Sequence, residues 1–179
     1  MLVLEHLWII PLLPLLGAAA NGLIGWRWPR PVTNMVALGT TALAALATVE
    51  LWREFFHLSA SQIPWTRSYF TWIQAGNFRA DYSLQVDSLT LVMLSVVTGV
   101  GWLIHLYSIG YMSHDAGYRR FFAYLNLFMF FMLTLVLASN YVLLFVGWEG
   151  VGLSSYLLIG FWFLKKTATD AGNKAFWVN

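Results

Sequence analysis

The chain has 179 residues, of which 59% are hydrophobic, 17% aromatic and only 10% charged, with a mean hydropathy of +0.66. So few charges cannot solvate a globular surface of this size, and the apolar residues come in runs, which excludes a soluble enzyme and indicates an integral membrane protein. A formal net charge of +2 gives no argument for a nucleic-acid partner, and the lack of cysteine excludes disulfides, cysteine catalysis and thiolate ligation of a metal or iron–sulfur cluster.

The first apolar run, Leu7 to Gly25, follows Glu5 and His6 instead of a basic leader and has no small-residue cleavage site, so it reads as a membrane helix and not a signal peptide. Pro11 and Pro14 fall in its first two turns, where a missing N–H is tolerated early and a modest kink follows at the second. A basic, aromatic break, Trp26 to Pro31, separates it from a second helix, Thr33 to Trp52. That helix ends in Glu50, Arg53, Glu54 and His57, which read as an interfacial end with its charges in water. From Leu58 to Gln85 the apolar run lapses. Aromatic and β-branched positions between Ser68 and Val86, broken at Gly76-Asn77 and at Arg79-Ala80-Asp81, predict a β-hairpin whose turn lies at one of those two breaks.

The third helix is predicted over Val86 to Ser108, with Asp87 placed to cap its first turn and His105 about one turn from the other end. A histidine at that depth is either a satisfied helix-contact residue or a member of a proton relay, so His105 is a secondary site candidate. After a basic loop with His114, Asp115, Arg119 and Arg120, the fourth helix, Phe121 to Ala138, is nearly all apolar and aromatic, with Asn126 as its only strongly polar side chain, read as an interhelical hydrogen-bonding residue. Ser139 and Asn140 then turn into the fifth. Lys165 and Lys166 mark a further basic break, and Ala171 to Asn179 read as the start of a sixth helix, so the sequence is expected to be part of a longer subunit. The short loops hold Arg27, Arg30, Arg119, Arg120, Lys165 and Lys166, which predicts that this side is cytoplasmic and that the hairpin is extraplasmic. The predicted fold class is an all-α integral membrane protein: a polytopic transmembrane helix bundle with an extraplasmic β-hairpin between helices 2 and 3.

The fifth helix, Asn140 to Trp162, carries the main site candidate. It is long enough to span a bilayer, yet Glu149 sits near its middle, where an ionisable group costs at least about 2.5–3.5 kcal/mol and normally belongs to an ion or proton path. Gly147, Gly150 and Ser154 form a small-residue stripe for close helix approach, and Gly152 and Tyr156 lie near the Glu149 face, so the acid is expected to face protein. The alternative is an acid that only fixes helix packing in a membrane anchor. There is no phosphate-binding glycine loop, metal-ligand spacing or nucleophile triad, and neither GVGW nor GWEGVG follows a strand.

The stretch GWEGVGLSSYLLIGFW resembles the fifth transmembrane helix of the antiporter-like subunits of respiratory complex I, in particular the NuoL type. DSLTLVMLSVVTGVGWLIHLYSIGYM, RRFFAYLNLFMFF and NKAFWVN resemble the same family in the same order, over about half the chain. The resemblance implies a proton-translocating membrane subunit of an NADH:quinone oxidoreductase in a bacterial inner membrane. NADH, FMN, iron–sulfur clusters and quinone would then be held by partner subunits, and none by this chain. It also implies an adjacent antiporter-like subunit as a partner, Glu149 as the ion-path acid, and a partner lysine on a later, broken helix beyond Asn179. A multisubunit cation/proton antiporter or a membrane-bound hydrogenase, which have related large subunits, is the alternative within the resemblance.

Overall fold

The computed structural model describes residues 2–179. Helices α1 (Leu2–Glu5), α2 (Ile9–Ala19) and α3 (Arg30–Phe55) precede a hairpin of β1 (Trp65–Ala75) and β2 (Phe78–Val86), and α4 (Ser88–Tyr111), α5 (Tyr118–Leu137), α6 (Tyr141–Ile159) and α7 (Lys166–Val178) follow. Among the described residues, five helical segments are long and apolar enough to cross a membrane: 9–27, 30–55, 88–111, 118–137 and 141–159. The chain is therefore a multi-pass membrane bundle. The first span is irregular. Beyond α2 it widens into a π-helix over Ala20–Ile24 and tightens into a 3-10 turn over Gly25–Arg27, carrying Asn21 inward, where its Nδ2 donates to Thr33 O across 3.4 Å.

In lipid, helices gain little from hiding apolar surface, so their contacts depend on small residues that let backbones approach. The buried face of α3 shows this, with Thr33, Ala37, Thr41, Ala44, Thr48 and Leu51 recurring at steps of three and four. Thr41 and Thr48 return their hydroxyl protons to Ala37 O and Ala44 O at 3.0 Å each, so both are satisfied within the helix and the stripe stays narrow. On α4 the buried stripe is Leu91, Leu94, Thr98, His105 and Ser108. On α6 it is Leu143, Gly147, Gly150 and Ser154, the predicted small face, and it takes α5: a Cβ on Gly147 would meet the Leu135 backbone at 2.7 Å, and one on Gly150 would enter the Phe131 ring.

The hairpin turns at Gly76-Asn77, where Gly76 has φ +57°, a value that suits glycine. The second break, Arg79 to Asp81, is strand, and Arg79 Nε pairs with Asp81 at 2.9 Å. Asp87 caps α4 as its position predicts, accepting from Thr90 N at 2.7 Å, and Asn140 caps α6 by accepting from Leu143 N at 3.0 Å. The hairpin also holds the α5–α6 corner: Asn140 Nδ2 donates to Asp81 O at 2.8 Å, Ser139 Oγ donates to Ser83 O at 2.9 Å, and Leu84 bridges Ala138.

Two sequence expectations need correction here. Glu54 is not a solvated end residue: it is 7% exposed, and its carboxylate accepts from Val3 N at 3.1 Å and Leu4 N at 2.7 Å, fastening α1 to the end of α3. The pairing of Glu50 with Arg53, at 3.2 Å, is the exposed contact that the i+3 spacing suggests. The sixth helical segment begins at Lys166 and not at Ala171, because Lys165 already has the extended backbone of a helix-start residue.

At the basic end, Asp115 is a latch. Its carboxylate accepts from Trp162 Nε1 at 2.8 Å and Gly117 N at 2.6 Å, while Arg30 reaches Ser113 O and Asp115 O from α3. The Trp162 bond first, and the Gly117 N–H second, hold the Asp115 carboxyl below its ordinary range. A depressed carboxyl contributes stability above its unfolded-state value of about 3.9 and loses it as pH falls through the lower folded value. The latch is therefore expected to persist at pH 5 and to loosen only in stronger acid, read as faster amide exchange over residues 113–121. Asp115→Ala should show that faster exchange already at neutral pH.

Candidate functional site

Each α6 residue advances about 100° around the axis, so Glu149 stands about 200° from Gly147 and about 100° from Gly150. It cannot share the face that packs on α5. The structure accordingly leaves Glu149 exposed among the described residues, beside the large apolar side chains of Phe145, Trp148 and Leu153. The acid and the small-residue stripe thus belong to different faces, and Glu149 is exposed where its sequence context predicts that it faces protein. Counting from Tyr141 at about 1.5 Å per residue, Glu149 lies about 12 Å into a span of about 28 Å, close to its middle. Helix α7 covers the neighbouring turns of the same side: Gly152 closes on the Asn179 side chain, Tyr156 packs on Phe176 with ring centroids 5.7 Å apart, and Trp148 Nε1 donates to Asn179 O at 3.5 Å.

His105 occupies a different place. It is 0% exposed on the buried stripe of α4, with Nδ1 2.8 Å from Gly101 O, and its ring lies 6.3 Å from that of Phe122 on α5. Helix α5 stands between it and α6, so the structure does not bring His105 and Glu149 together. Asn126 makes the interhelical bond that its position suggests, donating from Nδ2 to Thr40 Oγ1 on α3 at 3.0 Å. Gly17 on α2 faces the same two groups, and a Cβ there would overlap both Thr40 Oγ1 and Asn126 Nδ2, so three helices, α2, α3 and α5, converge around Asn126. That convergence is not written in any local motif; only the run of small and hydroxyl residues on α3 hints at it.

The basic end is rimmed by aromatic rings and cations. Arg120 lies over Phe161 at 4.6 Å and Phe163 at 5.1 Å, Arg30 over Tyr118 at 5.1 Å, and Lys165 by Trp162 at 5.2 Å. Such a belt is typical of a membrane–water boundary. The Tyr118 hydroxyl donates to Asn34 Oδ1 at 2.7 Å.

Fold and site together define a polytopic membrane bundle with a carboxylate set in the middle of one span. Residues 72–122 match the sequence family described as the N-terminus of NADH-ubiquinone oxidoreductase (complex I) chain 5, and residues 138–179 match the transmembrane family of NADH:quinone oxidoreductase and Mrp antiporters. Over 179 residues, 98% of this chain, 46% are identical to the NADH-quinone oxidoreductase subunit L of Mycobacterium tuberculosis (strain CDC 1551 / Oshkosh), and the match spans 28% of that relative. The subunit L of Escherichia coli (strain K12) is 45% identical over 92% of this chain and 27% of its own length, and chain 5 of the Neurospora crassa NADH-ubiquinone oxidoreductase 43% over 95% and 23%. A chain in the solved archaeal membrane-bound sulfane sulfur reductase shares the fold, with a TM-score of 0.71 over 94% of this chain and 24% of its own at 20% identity. The chain belongs to the complex I antiporter-like membrane subunits of the subunit L and chain 5 type. It spans about a quarter of the length of these curated relatives.

Proposed function

We propose that this chain works within a proton-translocating membrane subunit of an NADH:quinone oxidoreductase, with Glu149 as an acid of the proton path. The observation that carries this is the placement of Glu149 near the middle of the α6 span, on a face that α5 leaves free. A carboxylate at that depth cannot reach water by extending its side chain, so it is either protonated or paired with a cation across a hydrated interior, and an acid poised between those states passes protons. The names of the relatives support the reading. Electron transfer would take place on NADH, FMN, iron–sulfur clusters and quinone in partner subunits, with an adjacent antiporter-like subunit beside this one in a bacterial inner membrane. His105 is the second candidate in the path.

The family matched by residues 138–179 also covers Mrp antiporters, which keeps a cation/proton antiporter as the second reading. Purification of the tagged full-length subunit from its native membrane separates the two. Recovery with flavin- and iron–sulfur-containing subunits that oxidise NADH is expected; recovery in a complex that catalyses cation/proton exchange without NADH oxidation would favour the antiporter.

For orientation, the short basic loops are placed in the cytoplasm and the hairpin outside, from the loop charge bias. This cysteine-free chain suits labelling. Ser61→Cys and Asp115→Cys should react with an impermeant reagent from opposite sides, and reaction of both from one side would reverse that assignment.

A further inference from the structure

Buried polar atoms in a membrane bundle are normally hydrogen-bonded, because hydrocarbon offers no substitute for water. Two atoms between α4 and α5 depart from this. His105 and Asn126 are both 0% exposed, yet among the described residues neither His105 Nε2 nor Asn126 Oδ1 makes a hydrogen bond of normal length and angle.

The bonds around them define what these atoms are. Gly101 O can only accept, so the proton of a neutral His105 ring sits on Nδ1, 2.8 Å away, and Nε2 is left as an acceptor. Thr40 Oγ1 gives its own proton to the α3 backbone, with Val36 O at 2.9 Å and Ala37 O at 3.2 Å, so it receives one from Asn126 Nδ2 and leaves Oδ1 as the second acceptor. The Asn126 side chain bears on the His105 ring. The two acceptors belong to neighbouring side chains of α4 and α5 and hold no proton between them. An apolar cleft of about 200 Å³ between α4 and α5, walled by Val100, Ile104, Leu125, Met129 and others, reaches His105.

We propose that His105 and Asn126 form a proton-holding site in the basic half of the bundle, about 9 Å along α4 from Tyr111. A proton passes from water to the Nε2 lone pair, forming the N–H bond of an imidazolium that donates to Asn126 Oδ1; release breaks that bond and returns the proton to water, with no oxidation or reduction. Thr40 positions the amide, and Gly17 gives it room. No ionisable group on the packed elements bonds to His105: not Arg30, Glu50, Arg53 or Glu54 of α3, not Tyr118, Arg119, Arg120 or Tyr124 of α5, not Arg79, Asp81 or Tyr82 of β2, and not Tyr107 or Tyr111 of α4 itself. Without a counter-charge the imidazolium gives its proton up readily, which suits a group that passes it on.

The purpose of this site rests on the proton-translocation reading, but its test does not. In the assembled complex carrying the ¹⁵N-histidine-labelled full-length subunit, the His105 signals are isolated as the difference from His105→Gln. Between pH 8 and pH 5 the Nε2 resonance is expected to pass from an unprotonated to a protonated nitrogen, and Asn126→Leu should displace that change. Should Asn126→Leu not assemble, Thr40→Val, which frees the amide, replaces it. An Nε2 resonance that is unprotonated and constant throughout, as a turned amide donating from Nδ2 would produce, overturns the proposal. In proton-uptake assays His105→Gln is expected to lower the rate by about a hundredfold and to alter its pH profile, at the low end of the usual range for a lost proton-transfer group. A wild-type rate and profile would remove the relay role. A His105 titration seen alongside undiminished pumping by Glu149→Gln would support this site while overturning the assignment of Glu149.

Discussion

Glu149→Gln is expected to abolish most NADH-driven proton uptake while the complex assembles in normal amount. Glutamine keeps the length of the side chain and most of its hydrogen bonding, but it has no proton to release and cannot carry charge. Assembly should survive because the packing of α6 lies elsewhere, on Gly147, Gly150 and Ser154 against α5, and Glu149 projects from another side. Replacing an ionisable group in a span by a neutral one also removes part of the insertion cost, about 2.5–3.5 kcal/mol for a charged acid. Glu149→Asp keeps the acid and shortens its reach by one methylene, so it should retain part of the activity. Proton uptake into vesicles, normalised to assembled complex, is the measurement; undiminished pumping by Glu149→Gln would leave a packing role only.

Most of the fold was legible because membrane helices announce themselves by length and composition, and because Asp87, Asn140 and Gly76 act through local chemistry that a sequence displays directly. The choice between two hairpin breaks was open because both Gly76-Asn77 and Arg79-Ala80-Asp81 are polar; positive φ settles it, and only glycine takes that readily. Glu54 was misread for a different reason. Its partners are backbone N–H groups some fifty residues earlier, and no periodicity on α3 distinguishes a carboxylate that caps another helix from one that faces water. Glu149 stood out as a lone acid in an apolar run, but the face it occupies depends on which side of α6 receives α5. Small residues lie on more than one side, Gly147 and Gly150 against α5 and Gly152 against Asn179, so the sequence offered two faces for close approach. The environment of His105 and Asn126 was hidden further, since it needs α2, α3, α4 and α5 to meet.

Gly147→Ala is expected to be among the most damaging single-methyl changes in the bundle, and Gly99→Ala among the mildest. A helical glycine normally costs about 0.5–1 kcal/mol relative to alanine, so adding a methyl should stabilise unless something occupies its place. At Gly99, in α4, nothing among the described residues lies within 4 Å of the added carbon, and the change should be neutral or slightly stabilising. At Gly101, two residues on, the methyl meets the Met129 thioether, a flexible side chain that can turn aside. At Gly147 it meets Leu135 N, Cα and Cβ, each at 2.7 Å, and backbone can yield only by moving α5 away from α6. That separation would also loosen the contact of Gly150 with the Phe131 ring and strain the corner that Asn140 and Ser139 tie to β2. Overpacking of this kind costs about 1–3 kcal/mol even where side chains can relax, so a net loss toward the upper end is expected for Gly147→Ala. Thermal unfolding of the purified full-length subunit should rank the three variants with Gly99→Ala the most stable, Gly101→Ala between and Gly147→Ala the least; equal stability of Gly147→Ala and Gly99→Ala would show that α5 and α6 do not pack through this glycine.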